Sequence, residues 1–170
     1  MELLSRVRFP LAALLKVLNL MIFSGVRIEK LVEAKEISID PFNTANLRDA
    51  SYTFTLDERM KILKNVPFLD ARHDPEFDEF RISADGYVIQ PDAFVVGFTR
   101  EHVTLNGKYA CLLSNRSSLA QMGLNTILDS TLAEPSTDGN FALEIYNAGS
   151  NPIKLFSGMA IVKGIFFEVV

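Results

Sequence analysis

The chain has 170 residues, of which 48% are hydrophobic and 22% charged, enough for one domain with its own core and too apolar to stay disordered. A net charge of −4 argues against grip on a nucleic-acid backbone, which needs a basic face, but leaves room for a nucleotide pocket with a few local cations. One cysteine, Cys111, and two histidines, His73 and His102, exclude an intramolecular disulfide and a zinc site built from three or four His/Cys ligands.

Residues 1–20 read as an N-terminal extension ahead of a single domain spanning 21–170. They are apolar, with Arg6, Arg8 and Lys16 against Glu2. Lys16 interrupts the run, and a membrane span wants about 20 predominantly apolar residues. No small-residue cleavage site stands out after Leu20, so an accessory helix or translated extension is expected over a targeting signal. A cytoplasmic protein with no stable membrane span is the resulting expectation.

From Ser24 the pattern is helical, with Ile28, Leu31 and Val32 on one face. After Lys35 the period changes to two, Ile37 and Ile39 alternating with polar residues up to Pro41. Ser51–Leu56 predicts a half-buried strand, and the acidic stretch Asp70–Glu79 predicts an excursion loop. Short β runs follow at Tyr87–Ile89, Phe94–Thr99, His102–Leu105, Tyr109–Leu113, Phe141–Tyr146, Ile153–Leu155 and Ala160–Val169. Turn chemistry such as Asp85-Gly86, Asn106-Gly107 and Ser157-Gly158 separates them. Many short strands with little helix mean an all-β sandwich, jelly roll or barrel. The phenylalanines are expected mostly in the core.

The stretch Tyr109–Leu124, YACLLSNRSSLAQMGL, carries the chemistry. A β run ends at Asn115-Arg116, and Leu119–Met122 make one helical turn that Gly123 can close. Ser117 or Ser118 sits where an N-cap belongs. Helix-end amides beside an arginine can bind an anion, although a plain capped turn with a surface arginine fits the same spacing.

RSSLAQMGL closely resembles the RSSLARLGL motif of the dCTP deaminase branch of the trimeric dUTPase superfamily. ISIDPFNTANLRDASY (Ile37–Tyr52) is similar to that family's opening strand and turn, and FVVGFTRE (Phe94–Glu101) to its FVLGSTLE. LEIYN (Leu143–Asn147) and PIKLFSGM (Pro152–Met159) resemble its LEFYN and PLALRPGM runs. The resemblance implies a distorted β jelly roll, few short helices, and a homotrimer with nucleotide sites between subunits. It implies that Arg116, Ser117, Ser118 and Leu119 hold the triphosphate, partly through backbone amides, and that Glu144 is the general acid/base. By itself Glu144, alternating with Leu143 and Ile145, would pass for a strand carboxylate facing solvent.

Hydrolytic deamination needs a water activated toward C4 of cytosine and a proton for the departing amine, and one carboxylate can serve both steps. Zinc deaminases activate the water with a His/Cys/Cys set instead, so the resemblance implies no zinc and no metal held by protein side chains, with Mg²⁺ arriving on the triphosphate. Three departures matter. Gln121 replaces the family's second arginine, which weakens support for developing charge. STLAEPSTDG (Ser130–Gly139) stands where the family reads close to TAHRIDPGWSG. Ser130 then falls where backbone reads the base, Glu134 where an aspartate meets the sugar, and Thr137 where an aromatic packs. Val170 ends the chain where the family carries a tail over the triphosphate. The partners implied are dCTP, dUTP or dTTP. Deamination of dCTP to dUTP leads. The alternatives are onward conversion to dUMP, a catalytically degenerate nucleotide-binding or interaction protein on the same trimer, and a dUTP diphosphatase using Glu134. His73, His102 and the cluster Asp70, Asp74, Glu76, Asp78 and Glu79 read as surface groups.

Overall fold

The computed structural model describes residues 21–128 and 130–169; the expected extension at 1–20 lies outside them. Ser24 caps α1 (Gly25–Glu33), its hydroxyl accepting the Arg27 N–H, and the helix buries Ile28 and Leu31 as the period requires. Twelve strands follow: β1 (Ile37–Asp40), β2 (Leu47–Arg48), β3 (Ser51–Leu63), β4 (Phe77–Arg81), β5 (Tyr87–Ile89), β6 (Phe94–Leu105), β7 (Tyr109–Asn115), β8 (Leu124–Asn125), β9 (Leu132–Ala133), β10 (Asp138–Asn147), β11 (Ile153–Leu155) and β12 (Ala160–Glu168). One turn of helix, α2 (Ser117–Ala120), separates β7 from β8. The helix and β1 fall where the sequence places them. The two runs read at 94–99 and 102–105 are one continuous strand.

Every pairing is antiparallel. The main path runs β8-β10-β6-β3-β12-β7-β9, with β1 on β6 and both β2 and β4 on β3; β5 and β11 form a separate ribbon. Its two end strands, β8 and β9, are neighbours in sequence joined by residues 126–131, so the sheet must curl until its ends meet. That closure makes the distorted jelly roll and protects edges that would otherwise template aggregation. Tyr52, Phe54, Leu143, Ile145 and Phe166 fill the interior without exposure, Phe54 meeting Phe141 edge-on at 5.1 Å between ring centroids. Gly164 lets β12 approach: a Cβ there would lie 2.4 Å from Phe54 and 2.7 Å from Cys111 Sγ.

Three expectations need correction. Ser51–Phe54 is buried on both faces rather than one, because β3 lies mid-sheet between β6 and β12 and also packs against α1. The acidic stretch is only partly a loop: Phe77–Arg81 pairs with Arg59–Leu63 as a hairpin arm. Ion pairs Lys61–Glu79 at 2.9 Å and Lys64–Glu76 at 2.8 Å hold its sides. The phenylalanines divide, Phe23, Phe54, Phe141 and Phe166 being buried while Phe68 and Phe156 are exposed. Phe68 rides on the arm's tip, where no second layer covers it. Among the described residues no buried side-chain nitrogen or oxygen lacks a hydrogen-bond partner, and no helix is long and apolar enough to cross a membrane.

Candidate active site

β7 delivers Arg116. The Asn115 side chain donates to the Leu124 carbonyl at 2.8 Å and accepts from Thr126 Oγ1 at 2.9 Å, pinning the strand end to the 124–127 segment. Arg116 is extended at φ −82°, ψ 131° and is itself the N-cap residue, with no side-chain cap bond. Helix begins one residue earlier than a serine cap would require, so the expected capping by Ser117 or Ser118 is corrected. Both hydroxyls stay exposed instead of being spent on helix amides. A single turn sums few peptide dipoles, so charge at this place must come from side chains.

Those side chains are present. Arg116, Ser117 and Ser118 line an open groove of about 360 Å³ with Arg48, Asp49, Ser51, Thr53 and Lys163. The Arg116 guanidinium donates to the Ala160 carbonyl at 2.8 Å. Arg48 donates to the carbonyls of Ala45 at 2.8 Å and Leu47 at 2.7 Å. Lys163 stands on β12 opposite Thr53 of β3 and Ser114 of β7. Three cations against one carboxylate make a basic groove in an acidic protein, suited to phosphate oxygens. Leu119 is placed otherwise: its side chain is buried in the core and its N–H goes to the Arg116 carbonyl at 3.0 Å, so it anchors the turn.

Glu144 is not among the residues that line this groove. Leu143 and Ile145 are fully buried beside it, which sends the partly buried Glu144 to the opposite face of β10, across from Val96 of β6. The Ser130 N–H donates to its Oε2 at 3.4 Å. Next to Ser130, the Thr131 carbonyl accepts the Leu113 N–H at 2.6 Å. The segment therefore links the strand of Arg116 to the strand of Glu144. Past β9, Glu134 and Thr137 close one turn, Thr137 N–H to Glu134 carbonyl at 2.9 Å, which packs on the β6–β7 hairpin through the Leu105 and Gly107 N–H groups. Gln121 is exposed and lines another groove of about 680 Å³ with Met122, Gly149 and Lys154.

Within one chain, then, Arg116, Ser117 and Ser118 come together, Ser130 and Glu144 come together, and the second pair does not line the groove of the first three. Sequence reasoning missed Arg48 and Lys163. A lysine inside the apolar run AIVKGIFF was a visible signal; Arg48 had none. His73 and His102 are exposed, each 3.5 Å from an aspartate, Asp70 and Asp138 respectively. Among the described residues no group of three or more His, Cys, Asp or Glu is placed to hold a metal.

A curled antiparallel roll with a basic groove and a strand-borne carboxylate defines a class of nucleotide-handling β folds. Within it the chain belongs to the dCTP deaminase-like family, whose model matches residues 22–169. It is 32% identical over 153 residues to a dUMP-forming dCTP deaminase of Persephonella marina, covering 88% of this chain and 84% of the relative. The corresponding enzyme of Clavibacter michiganensis is 32% identical over 154 residues, covering 88% and 77%. In fold it is similar to the 2'-deoxycytidine 5'-triphosphate deaminase of Agrobacterium tumefaciens, with a TM-score of 0.69 at 15% identity. That match covers 87% of this chain and 48% of the other, so the chain spans about half the length of that protein. A dUTPase of Staphylococcus bacteriophage 80alpha aligns with a TM-score of 0.51 at 14% identity, over 79% and 90% of the two chains.

Proposed function

We propose that the chain is a hydrolytic dCTP deaminase that takes the Mg²⁺ complex of the nucleotide and works as a cytoplasmic homotrimer. The observation that carries this reading is the hydrogen bond from the Ser130 amide to Glu144, in a chain about one-third identical to dUMP-forming deaminases. Glu144 takes a proton from water as its oxygen adds to C4 of cytosine. It then returns the proton to the exocyclic nitrogen, the C4–N bond breaks, and ammonia leaves a uracil ring. The names of the relatives favour onward loss of pyrophosphate, giving dUMP.

Arg116, Ser117 and Ser118 hold the triphosphate, joined by Arg48 and Lys163. The Ser130 backbone reads the base, Glu134 and Thr137 meet the sugar, and Gln121 gives a hydrogen bond near the water. Two observations support a shared site. Glu144 does not line the phosphate groove of its own chain, and a second copy set against that groove would bring a carboxylate to it. The row Ile165–Leu112–Leu132 runs in register across β12, β7 and β9 on the face that carries Lys163 and Ser114, and Leu112 and Leu132 are exposed. An apolar row of that kind suits an interface between copies.

The test is turnover with dCTP and Mg²⁺, following ammonia, dUTP and dUMP, alongside light scattering. Trimer mass with ammonia release is expected. Nucleotide binding without product would leave a binder on the same fold, and a monomer across micromolar concentrations would remove the shared site.

A further inference from the structure

The face of β10 that carries Glu144 continues across the sheet. Glu144 is opposite Val96, Val96 is opposite Lys61, and Lys61 is opposite Glu79. These four residues form one row on the outer face of β10, β6, β3 and β4. In the next row Phe98 stands opposite Ala142, which makes Phe98 a diagonal neighbour of Glu144, within reach of a large side chain. Ala142 is the small residue beside it, so the space over the Phe98 ring is not filled from β10.

Phe98 forms the floor of an open groove of about 390 Å³ with Arg59, Lys61, Glu79, Phe80 and Arg81. The Arg59 guanidinium carbon is 5.5 Å and the Lys61 nitrogen 5.7 Å from the Phe98 ring centroid. Each cation has a carboxylate partner: Arg59 holds Asp57 at 2.8 Å, Lys61 holds Glu79 at 2.9 Å, and Arg81 holds Glu58. The groove is therefore close to neutral, unlike the phosphate groove at Arg116. A neutral trough with an aromatic floor and a rim of N–H donors and carboxylate acceptors suits an uncharged planar heterocycle better than an anion.

We propose that Phe98, flanked by Arg59 and Lys61, is the stacking platform for the nucleobase presented to Glu144. This rests on the reading of Glu144 as the group that acts on the base. Stacking on a partly exposed phenylalanine adds affinity without regard to the phosphates.

The chain contains no tryptophan, so Phe98→Trp introduces a single fluorophore at the platform. Its emission should be quenched by dCTP and not by inorganic tripolyphosphate, which fills only the phosphate groove. Phe98→Ala should weaken dCTP binding in calorimetry about tenfold or more and leave tripolyphosphate binding unchanged, with a native thermal melt as the check on folding. Unquenched Phe98→Trp emission while calorimetry records dCTP binding to the same variant would overturn the platform and leave the deaminase reading standing. A wild-type chain that binds tripolyphosphate but not dCTP overturns both. Turnover that survives Glu144→Gln, with quenching intact, overturns the catalytic reading and keeps Phe98 as a base site.

Discussion

The groove around Arg116 and the face around Glu144 differ in how they arrange charge, and in the proposed function each meets a different half of the nucleotide. The first gathers Arg48, Arg116 and Lys163 around a single carboxylate, Asp49, and works through net charge. The second sets one carboxylate beside an aromatic ring and balanced ion pairs, and in the proposed function would work through shape and proton transfer. Net charge can attract from a distance and tolerates loose geometry, whereas proton transfer needs a fixed carboxylate. The basic residues line an open groove, whereas Glu144 sits within β10 and accepts from the Ser130 amide.

The comparison breaks most sharply at Glu144. Glu144→Gln should cut turnover by about 10²–10⁴-fold, the range of general acid–base catalysis, while calorimetry still records dCTP binding. Unchanged turnover would end the assigned role. Arg116→Ala should weaken nucleotide binding by about 1.5–3 kcal/mol, as for hydrogen bonds to charged groups. Lys163→Ala should cost less, about 1 kcal/mol, because its ammonium is a flexible point charge beside water. Both losses should shrink as salt rises, since exposed charges are screened over about 10 Å at 0.1 M. A salt-independent loss at Lys163 would mean that it packs rather than binds.

The smallest effects concern stability and pH. Tyr109 donates to Glu36 at 2.5 Å. That hydrogen bond, aided by burial, raises its hydroxyl above 10.0. Its contribution is complete below pH 10 and fades as pH climbs through the raised folded value. The melting temperature should therefore drop above pH 10 in the wild type and drop less in Tyr109→Phe. On the hairpin arm, Arg72 lowers Asp70 and Lys64 lowers Glu76. Those contributions are present above about pH 4.5 and vanish as pH falls through the lowered values, so protease cleavage within 64–76 should quicken in acid. Cys111 is buried and burial pushes its thiol up; thiol reagents should label it only after unfolding.

Much of the roll could be read in one dimension. The short β runs Tyr87–Ile89 and Ile153–Leu155 match β5 and β11 to the residue, and the turn at Asn106-Gly107 is where the chain reverses, with Gly107 at φ +85°. Local signals failed where a residue's neighbours lie far away in sequence. Ser51–Phe54 reads as half-buried, yet it packs between α1 and the inner core. The acidic stretch reads as loop because its own residues are mostly charged, and only the distant partner Arg59–Leu63 makes Phe77–Arg81 a strand. Ser117 reads as a cap, but the extended backbone of Arg116, whose side chain is tied to Ala160, starts the helix one residue sooner.

For the candidate site, the motif RSSL and the carboxylate of LEIYN could be singled out in the sequence because each is a contiguous string whose chemistry is carried by residue type. Arg48, Lys163 and Phe98 were not, because what gives each its place is a neighbour on another strand: Ser51 and Thr53 for the groove, Ala142 and Glu144 for the platform. Sequence by itself determined the β alternation, the turns, the absence of a cysteine zinc cage and the residues that can move a proton. Tertiary structure alone decided which cations share a groove and which aromatic lies beside the carboxylate. The physical reason is that strand order and register are set by burial across the whole sheet, a quantity no local window contains.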